Sequence, residues 1–498
     1  MFVQKIVLSY SSKLVLQVIQ MIATLIVARI VGPGVIGTLA YGLAFVSMFS
    51  FIADLGTGTA HIRLIAAGND ERKCVGTYLR IKIILSGTFI LIVTFAFLYT
   101  KYFSASGFES SQQETIILIY LVIIAIGQFT GLYSTTWAAH MEQAKQDVPQ
   151  FLQTLLYQIL RILIAILGFK AIGLALGNLM AVLITVPLYL FLGRNIRIGK
   201  FDKELYKQYI SISLPVVVLG ICQVLIFSVD KVYLQSQTDL AMLGNYSAAI
   251  GVAAFIKTIE SSVGLLLFPL FSSYIVEKNF DRINSVIKKY ELITMGFILP
   301  AVFTLSIFSN SIISILYGHK FTDAAPVFSI ILFSYFISMI LLPYGNLLFG
   351  LGKFKETAWL WIIAAVFFFL TAYGLVSKGM LNLKGTGMAS SLLLSNLLLL
   401  ISTIFLIRKY LNDQVKVIPG IKFFLFVLSY FSIVLLFVYK FLPDGLMYQT
   451  IIACCTYVLI LLIGRILNIF KKEDLLLIKE IFSFGKMKSY VKNELKRK

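Results

Sequence analysis

Charged side chains interrupt stretches of the sequence that are otherwise apolar, and these residues could do chemistry. The seven are Arg29, Asp54, Arg161, Asp230, Lys231, Lys257 and Glu260. A charge inside a membrane-spanning helix costs about 2.5–3.5 kcal/mol, so each one needs a partner, a wet cavity or a route to the membrane surface. Arginine can hold phosphate oxygens through two parallel N–H bonds, whereas lysine offers a point charge. The set therefore predicts a protein that handles a polar, charged cargo.

Arg161 is the strongest candidate because it continues a polar stripe. The stripe has three- and four-residue spacings and consists of Gln150, Gln153, Thr154, Tyr157 and Arg161. Such spacings place side chains on one face of a helix. A polar face among apolar neighbours meets either a cavity or another helix. Two interpretations therefore stay open, namely cavity lining and a hydrogen-bonded seam between helices.

Arg29 and Asp54 lie on either side of a helix break predicted at Gly32-Pro33-Gly34, since proline cannot continue a helix. Arg29 points away from the polar face of its own helix and lies near the predicted outer end. It therefore either lines a cavity or extends to the membrane surface. Asp54 shares a helix face with Ser47 and Ser50, and it either pairs with an arginine or binds a coupling cation.

Two pairs of opposite charge complete the set. Lys257 and Glu260 are three residues apart, so we expect them to neutralise each other on one helix face. Asp230 and Lys231 are adjacent and point in different directions, which predicts separate partners. The candidates for binding an anionic substrate are thus Arg161, Arg29 and Lys257. Those for ion coupling or charge pairing are Asp54, Asp230 and Glu260.

Fourteen apolar blocks position these charges. The chain has 498 residues, of which 59% are hydrophobic and only 13% are charged, and this excludes an ordinary soluble domain. Blocks of about 20 apolar residues can cross a bilayer as helices. The predicted spans are residues 14–31, 38–60, 77–99, 115–137, 151–169, 172–192, 210–234, 244–271, 292–308, 326–348, 357–376, 385–407, 421–441 and 448–467. The predicted fold class is all-α integral membrane, with 14 transmembrane helices.

The loops between the blocks predict the orientation. Lys and Arg concentrate in alternate loops, including the segment from Arg63 to Lys82 and the segment from Arg194 to Lys207. Because such loops stay on the cytoplasmic side, both termini are expected there, in a cell (plasma or inner) membrane. The net charge of +20 then needs no nucleic-acid partner. The outer loops are short and leave no room for an external catalytic domain.

An internal repeat predicts two lobes. Ile36-Gly37-Thr38 returns as Leu243-Gly244-Asn245 at an offset of about 210 residues, and each copy opens the second helix of its half. Six helices per repeat give both halves one orientation. The predicted organisation is a six-helix lobe in 1–205, a second in 206–412, helices 13 and 14 in 413–470, and a basic amphipathic cytoplasmic tail in 471–498. Such a tail would lie on the anionic membrane surface.

Short words of sequence occur in a characteristic order over residues 1–470. They are Ala28-Arg29-Ile30-Val31-Gly32-Pro33, Ala53-Asp54-Leu55-Gly56, Ser213-Leu214-Pro215 with Asp230-Lys231, and Gly244-Asn245-Tyr246-Ser247. The set resembles the polysaccharide-export flippases of the multidrug/oligosaccharidyl-lipid/polysaccharide exporter superfamily. The resemblance implies a MATE-like fold that moves an isoprenoid-diphosphate-linked oligosaccharide, such as an O-antigen unit, to the outer leaflet by alternating access. It also implies that Arg29 lines the cavity, as the arginine of lipid II flippases does in the same Ala-Arg-Ile context.

Two alternatives stay open at the sequence level. An ion-coupled multidrug or cation antiporter of the same fold would suit Asp54, Asp230 and Glu260 but not Arg29, Arg161 and Lys257. A membrane glycosyltransferase or polymerase would usually need outer carboxylates or a large outer domain. We expect a non-enzyme without cofactor or metal, since the histidines and cysteines lack metal-site spacing and no P-loop is present. The expected partners are a lipid-linked oligosaccharide, membrane lipids and glycosyltransferases or a polymerase of the same pathway.

Overall fold

The computed structural model describes residues 2–103, 107–412 and 414–416, which are helical apart from short connections. Each of the twelve spans predicted before residue 412 is helical over most of its length. Within the described residues, ten helices are long and apolar enough to cross a membrane. The predicted all-α membrane class is confirmed. The two spans predicted at 421–441 and 448–467 and the basic tail lie outside the described residues.

The chain divides into two compact units, and the division falls between Ala248 and Ala249. The first unit contains α1 (Phe2–Ser47), α2 (Ser50–Asp54), α3 (Thr57–Ala66), α4 (Glu71–Tyr102), α5 (Ser111–Ala139), α6 (Gln143–Ile166), α7 (Ala171–Leu192) and α8 (Lys203–Gln237). The helix α9 (Leu240–Val276) begins in the first unit and continues into the second. The lobe boundary predicted between residues 205 and 206 stays a prediction.

The second unit continues from α9 with helices up to residue 411. They are α10 (Phe280–Ile293), a π-helical turn (Thr294–Ile298), α11 (Leu299–Ile307), α12 (Ser309–Tyr317), a 3₁₀ turn (His319–Phe321), α13 (Ala324–Gly350), α14 (Phe354–Val376) and α15 (Lys384–Leu411). The most buried of these spans is α13, which packs against α15 and α11.

The break predicted at Gly32-Pro33-Gly34 is present as a kink in α1. Gly32 has φ 80° and ψ 175°, a conformation that glycine adopts because it has no Cβ. Pro33 follows it, and its ring fixes φ and removes one backbone donor, so the i to i−4 hydrogen-bond ladder is interrupted here. The chain therefore crosses from the first predicted span to the second within one bent helix.

The second predicted span is itself divided at Asp54. The residues after it, Leu55 and Gly56, have φ of 43° and 70°, so both are left-handed and the helix ends. For leucine this conformation costs roughly 1–2 kcal/mol, which other contacts must offset. The break leaves the last carbonyl groups of α2 without helical partners. It places the Asp54 carboxylate next to the Ala53 and Asp54 carbonyl groups, which accept hydrogen bonds from side chains, the Asp54 carbonyl from the Thr57 hydroxyl at 2.6 Å.

Helix packing in the first unit holds α6 next to α1 and α7. It also brings α3, α4, α5 and α8 around a buried cluster that includes Tyr78, Cys74 and Tyr209. His61 of α3 stacks on Tyr78, with ring centroids 4.2 Å apart, and contacts the Tyr209 hydroxyl at 2.6 Å. This cluster packs α4, which carries Lys82, against α3, α5 and α8.

Candidate functional site

Arg161 lies on α6 and points towards α1. Its Nη1 donates a hydrogen bond to the Thr24 hydroxyl at 2.9 Å, and its Cζ lies 5.8 Å from the centre of the Tyr157 ring. The Nε of Arg161 is buried and has no hydrogen-bond partner among the described residues. The guanidinium is thus oriented by neighbours on two sides and keeps a buried donor that a ligand could use.

A second unsatisfied group lies one helical turn away. Gln158 is 2% exposed, and its Oε1 accepts no hydrogen bond within the described part of the chain. A buried polar group without a partner costs about 1–3 kcal/mol, so two of them within one turn are unfavourable unless something binds there. A ligand with both donor and acceptor atoms could satisfy the Arg161 donor and the Gln158 acceptor together.

No carboxylate pairs with Arg161 among the described residues. The sequence left open a hydrogen-bonded seam between helices, and in the described part of the chain Arg161 forms one such hydrogen bond, to Thr24. That contact uses one of the five donors of the guanidinium. Arg161 therefore retains positive charge that protein groups in the described ranges do not neutralise.

The partner of Asp54 is Lys82 on α4. The Lys82 ammonium lies 2.7 Å from the Asp54 Oδ1, 3.2 Å from the Ala53 carbonyl and 3.0 Å from the Gln128 Oε1. Three acceptors match the three donors of an ammonium group. Lys82 is buried and the Asp54 side chain is half exposed. The lysine therefore also caps the free end of α2 at its break.

Sequence reasoning missed Lys82 because it counted this lysine with the basic loop from Arg63. The structure places it inside α4 with 4% exposure. The signal was present, since Lys82 follows the predicted start of its span by five residues and Asp54 needed a cation. An arginine was the expected partner. Charge pairing was one of the two alternatives that the sequence left open for Asp54, and the structure pairs it with a lysine.

Asp230 and Lys231 on α8 correct the expectation of separate partners. The Lys231 Nζ lies 3.2 Å from both carboxylate oxygens of Asp230 and donates to the Phe227 carbonyl at 2.8 Å. Adjacent side chains do leave a helix in different directions, but the long lysine stem bends back along the helix and brings the ammonium to the carboxylate. Tyr246 of α9 donates a further hydrogen bond to Asp230 at 2.9 Å.

Lys257 and Glu260 on α9 neutralise each other, as predicted. The Lys257 Nζ lies 3.0 Å from Oε1 and 2.9 Å from Oε2 of Glu260. Ser338 of α13 accepts from Lys257 at 2.5 Å and donates to Glu260 at 2.9 Å, which closes a small ring of hydrogen bonds. The Tyr335 ring lies 5.3 Å from the ammonium. The positive charge of Lys257 is therefore neutralised by Glu260 on the same helix.

Arg29 is exposed on α1, three residues before the kink at Gly32. Its exposure fits either of the two roles predicted from the sequence. Arg161 and Arg29 belong to the first compact unit, whereas Lys257 belongs to the second. No group of three or more His, Cys, Asp or Glu side chains able to hold a metal ion occurs in the described part of the chain.

A family model described as a polysaccharide biosynthesis protein matches residues 26–326. An uncharacterized membrane protein of Methanocaldococcus jannaschii is 24% identical over 285 residues, which covers 55% of this chain and 54% of that protein. The chain thus spans about half the length of this curated relative.

Two solved structures resemble the chain over most of its length. The lipid II flippase MurJ in an inward closed conformation gives a TM-score of 0.70 at 14% identity, covering 93% of this chain and 100% of that one. An inward-facing MATE family multidrug resistance transporter of the MOP superfamily gives 0.66 at 15% identity, covering 80% and 95%. At these identities the likeness concerns the fold alone.

Proposed function

Because the chain belongs to the family of polysaccharide biosynthesis proteins, we propose that it is a flippase for an isoprenoid-diphosphate-linked oligosaccharide. Its fold is that of MurJ and the MATE transporters, so the resemblance to this exporter superfamily is confirmed at the level of family and fold. The cargo would move from the cytoplasmic to the outer leaflet by alternating access, for cell-surface polysaccharide biosynthesis. A structural neighbour that is named a lipid II flippase supports a lipid-linked cargo.

The observation that carries this proposal is the state of Arg161. Its guanidinium is held by Thr24, faces no carboxylate in the described ranges and keeps a buried Nε donor. A diphosphate offers several acceptor oxygens and negative charge, which arginine binds through parallel hydrogen bonds. Arg29 and Lys257 are secondary candidates for the same anion, and Lys257 is the weaker because Glu260 already neutralises it.

The cellular setting forms part of the proposal. A multi-pass protein of the plasma or inner membrane with both termini in the cytoplasm would receive its cargo from cytoplasmic glycosyltransferases. It would pass the cargo to a polymerase on the outer side. The basic loop from Arg194 to Lys207 supports the orientation, since basic loops stay in the cytoplasm.

An ion-coupled multidrug or cation antiporter of the same fold receives less support. Such a protein needs carboxylates that are available to a cation. Each of the three carboxylates considered for this role lies within 3.2 Å of a lysine ammonium, namely Asp54, Asp230 and Glu260. A membrane glycosyltransferase or polymerase is also less supported, because the structural neighbours are named as transporters or flippases.

The test is a flipping assay with the full-length chain in proteoliposomes. A polyprenyl-diphosphate oligosaccharide with a fluorescent sugar is placed in both leaflets, and a membrane-impermeant reagent quenches the outer one. We expect the quenched fraction of the fluorescence to rise from half to nearly all when the protein is present. A parallel arm measures efflux of a cationic dye driven by a proton or sodium gradient. Dye efflux without lipid flipping would favour the antiporter, and quenching that stays at half would contradict the flippase.

A further inference from the structure

A cavity of about 390 Å³ lies where α14 ends and α15 begins, at the side predicted to be outer. This volume lies within the range of small-molecule sites, roughly 300–1,000 Å³. Its walls come from both helices and from the loop of residues 377–383 that joins them. The lining residues are Thr371, Gly374, Leu375, Met380, Leu381 and Leu394.

The loop is held in place by its own backbone. The N–H of Leu381 donates to the carbonyl of Gly374 at 3.3 Å, and that of Leu383 donates to Leu375 at 2.8 Å. These bonds use the free carbonyl groups at the end of α14. The cavity is therefore a built feature of the helix connection.

The lining offers almost nothing to a polar ligand. Its one side-chain hydroxyl, that of Thr371, donates to the carbonyl groups of Phe367 and Phe368 at 2.9 and 3.0 Å. The carbonyl groups of Gly374 and Leu375 are already engaged by the loop. What remains is leucine, methionine and a glycine, which favour a hydrocarbon chain.

The surroundings of the cavity favour a lipid as the source of that chain. Met380, Leu381 and Leu383 are 59%, 65% and 45% exposed, which suits the membrane interface rather than water. Lys378 of this loop and Lys384, the first residue of α15, are exposed and lie next to these apolar residues in the sequence. Lysines near a membrane surface attract anionic headgroups.

We propose that this cavity binds one acyl chain of an anionic phospholipid, with the phosphate held near Lys378 and Lys384. The inference goes beyond the flippase function and does not depend on it. Occupancy of the cavity beside the loop would then depend on the lipid composition of the surrounding leaflet. A bound lipid would act on the end of α15, which packs against α13 and whose Asn396 donates a hydrogen bond to the Ser334 hydroxyl at 2.9 Å.

The test uses full-length protein in nanodiscs that contain a phosphatidylglycerol with a diazirine in one acyl chain. After illumination, the adducts are mapped by mass spectrometry. We expect them on Met380, Leu381 and Leu394, well above those on Leu370 and Tyr373, which are exposed on α14 but do not line the cavity. Equal labelling of the two sets, or a cavity without adducts, would overturn the proposal.

A filling variant checks the cavity itself. Gly374 lines the cavity and a Cβ there would meet no atom within 4 Å, so we expect Gly374→Phe to place its ring in the cavity. The matched control is Gly87→Phe, since Gly87 lies within α4 and also has open space around it. We expect Gly374→Phe to lose the adducts and Gly87→Phe to keep them. If Gly374→Phe does not accumulate, Leu394→Trp narrows the opposite wall and must give the same loss.

The charge is tested with the double variant Lys378→Gln/Lys384→Gln. We expect it to lose the preference for phosphatidylglycerol over phosphatidylcholine that the unmodified chain shows. Lys320→Gln, an exposed lysine of another predicted outer loop, should leave this preference unchanged. An unmodified chain that labels equally from both lipids would contradict the anionic headgroup. Displacement of the probe by a polyprenyl phosphate but not by phosphatidylglycerol would assign the cavity to the carrier lipid and overturn the phospholipid proposal.

Discussion

Gly37 and Gly244 lie against each other's helices in a reciprocal contact. A Cβ on Gly37 would lie 1.8 Å from the Leu240 carbonyl oxygen, and a Cβ on Gly244 would lie 1.9 Å from the Pro33 carbonyl oxygen. Each carbonyl stands four residues before the opposite glycine. The internal repeat of the sequence places these two glycines at equivalent positions. Their reciprocal contact supports that alignment.

The crossing of α1 and α9 predicts the effect of adding one methyl group. Gly244→Ala would place its Cβ on a backbone oxygen, so the helices must separate. We expect a loss of about 1–3 kcal/mol in stability, the usual cost of overpacking, or more, because the obstacle is main chain. The measurement is the thermal unfolding midpoint of the detergent-solubilised protein. The control is Gly34→Ala in α1, the bent helix of this crossing, where a Cβ would meet no atom within 4 Å. Equal midpoints for the two variants would contradict the close contact.

Much of the helical framework could be predicted from the sequence because it depends on local pattern. Apolar blocks long enough to span a bilayer became helices, and Gly32 with Pro33 became a kink. The pairing of Lys257 with Glu260 followed from a three-residue spacing, which acts within one helix.

Contacts between helices were harder to predict. Lys82 reaches Asp54 across 28 positions, and no spacing rule identifies such a partner. The pairing of Asp230 with Lys231 escaped for a different reason. Separate partners were predicted from the directions of the two Cα–Cβ bonds. The position of the ammonium group, however, depends on the conformation of the flexible lysine side chain. Gln158 lies four residues after Thr154 and three before Arg161, so it fits the spacing of the polar stripe, but spacing alone does not predict its unsatisfied state, which results from tertiary packing.

The Lys82–Asp54 pair predicts an asymmetry between its two partners. Asp54→Ala leaves a buried ammonium without a counter-charge, whereas Lys82→Met leaves a carboxylate that is half exposed and can be hydrated. We expect Asp54→Ala to destabilise by about 3 kcal/mol, near the lower end for a broken buried pair, and Lys82→Met by less. Unfolding midpoints check the order. The double variant Asp54→Ala/Lys82→Met should recover part of the loss, and a double variant worse than both single ones would contradict the pairing.

Asp202 at the start of α8 predicts a dependence on pH. The backbone N–H groups of Leu205 and Glu204 donate to its carboxylate at 3.2 and 2.9 Å, and the Lys73 charge lies 3.6 Å away, so its pKa is lowered below the usual 3.8. A lowered pKa means that the stabilisation is complete above the unfolded pKa and is lost as the pH falls through the folded value.

Asp202→Asn tests this by keeping a capping oxygen without the charge. We expect the unfolding midpoint of the unmodified protein to exceed that of Asp202→Asn at pH 7, and the gap to close as the pH falls below about 4. Asp202→Ala removes the capping oxygen as well as the charge. Its unfolding midpoint should therefore lie below that of Asp202→Asn at every pH. A gap that is constant across this range would show that the charge makes no contribution.

Arg161 gives the most direct test of the site. If its guanidinium binds the diphosphate, Arg161→Ala removes at least one charge-assisted hydrogen bond worth about 1.5–3 kcal/mol, which corresponds to roughly a tenfold to hundredfold loss of affinity. Arg161→Lys keeps the charge but loses the parallel donors, so we expect partial function. The measurements are complementation of a flippase-deficient strain and protein abundance in the membrane.

Abundance separates binding from a structural role. Among the described residues, Thr24 is the one protein group that accepts a hydrogen bond from Arg161, so Thr24→Val removes this anchor and leaves the charge. If Arg161 were only a strut between α6 and α1, Thr24→Val and Arg161→Ala would lower abundance to a similar extent, and export per molecule would stay normal. If Arg161 binds the cargo, Arg161→Ala abolishes export at normal abundance, while Thr24→Val reduces it only in part, because a less oriented guanidinium still attracts phosphate. Full export by a well-expressed Arg161→Ala protein would remove Arg161 from the site, and it would leave the membership in the family and the fold untouched.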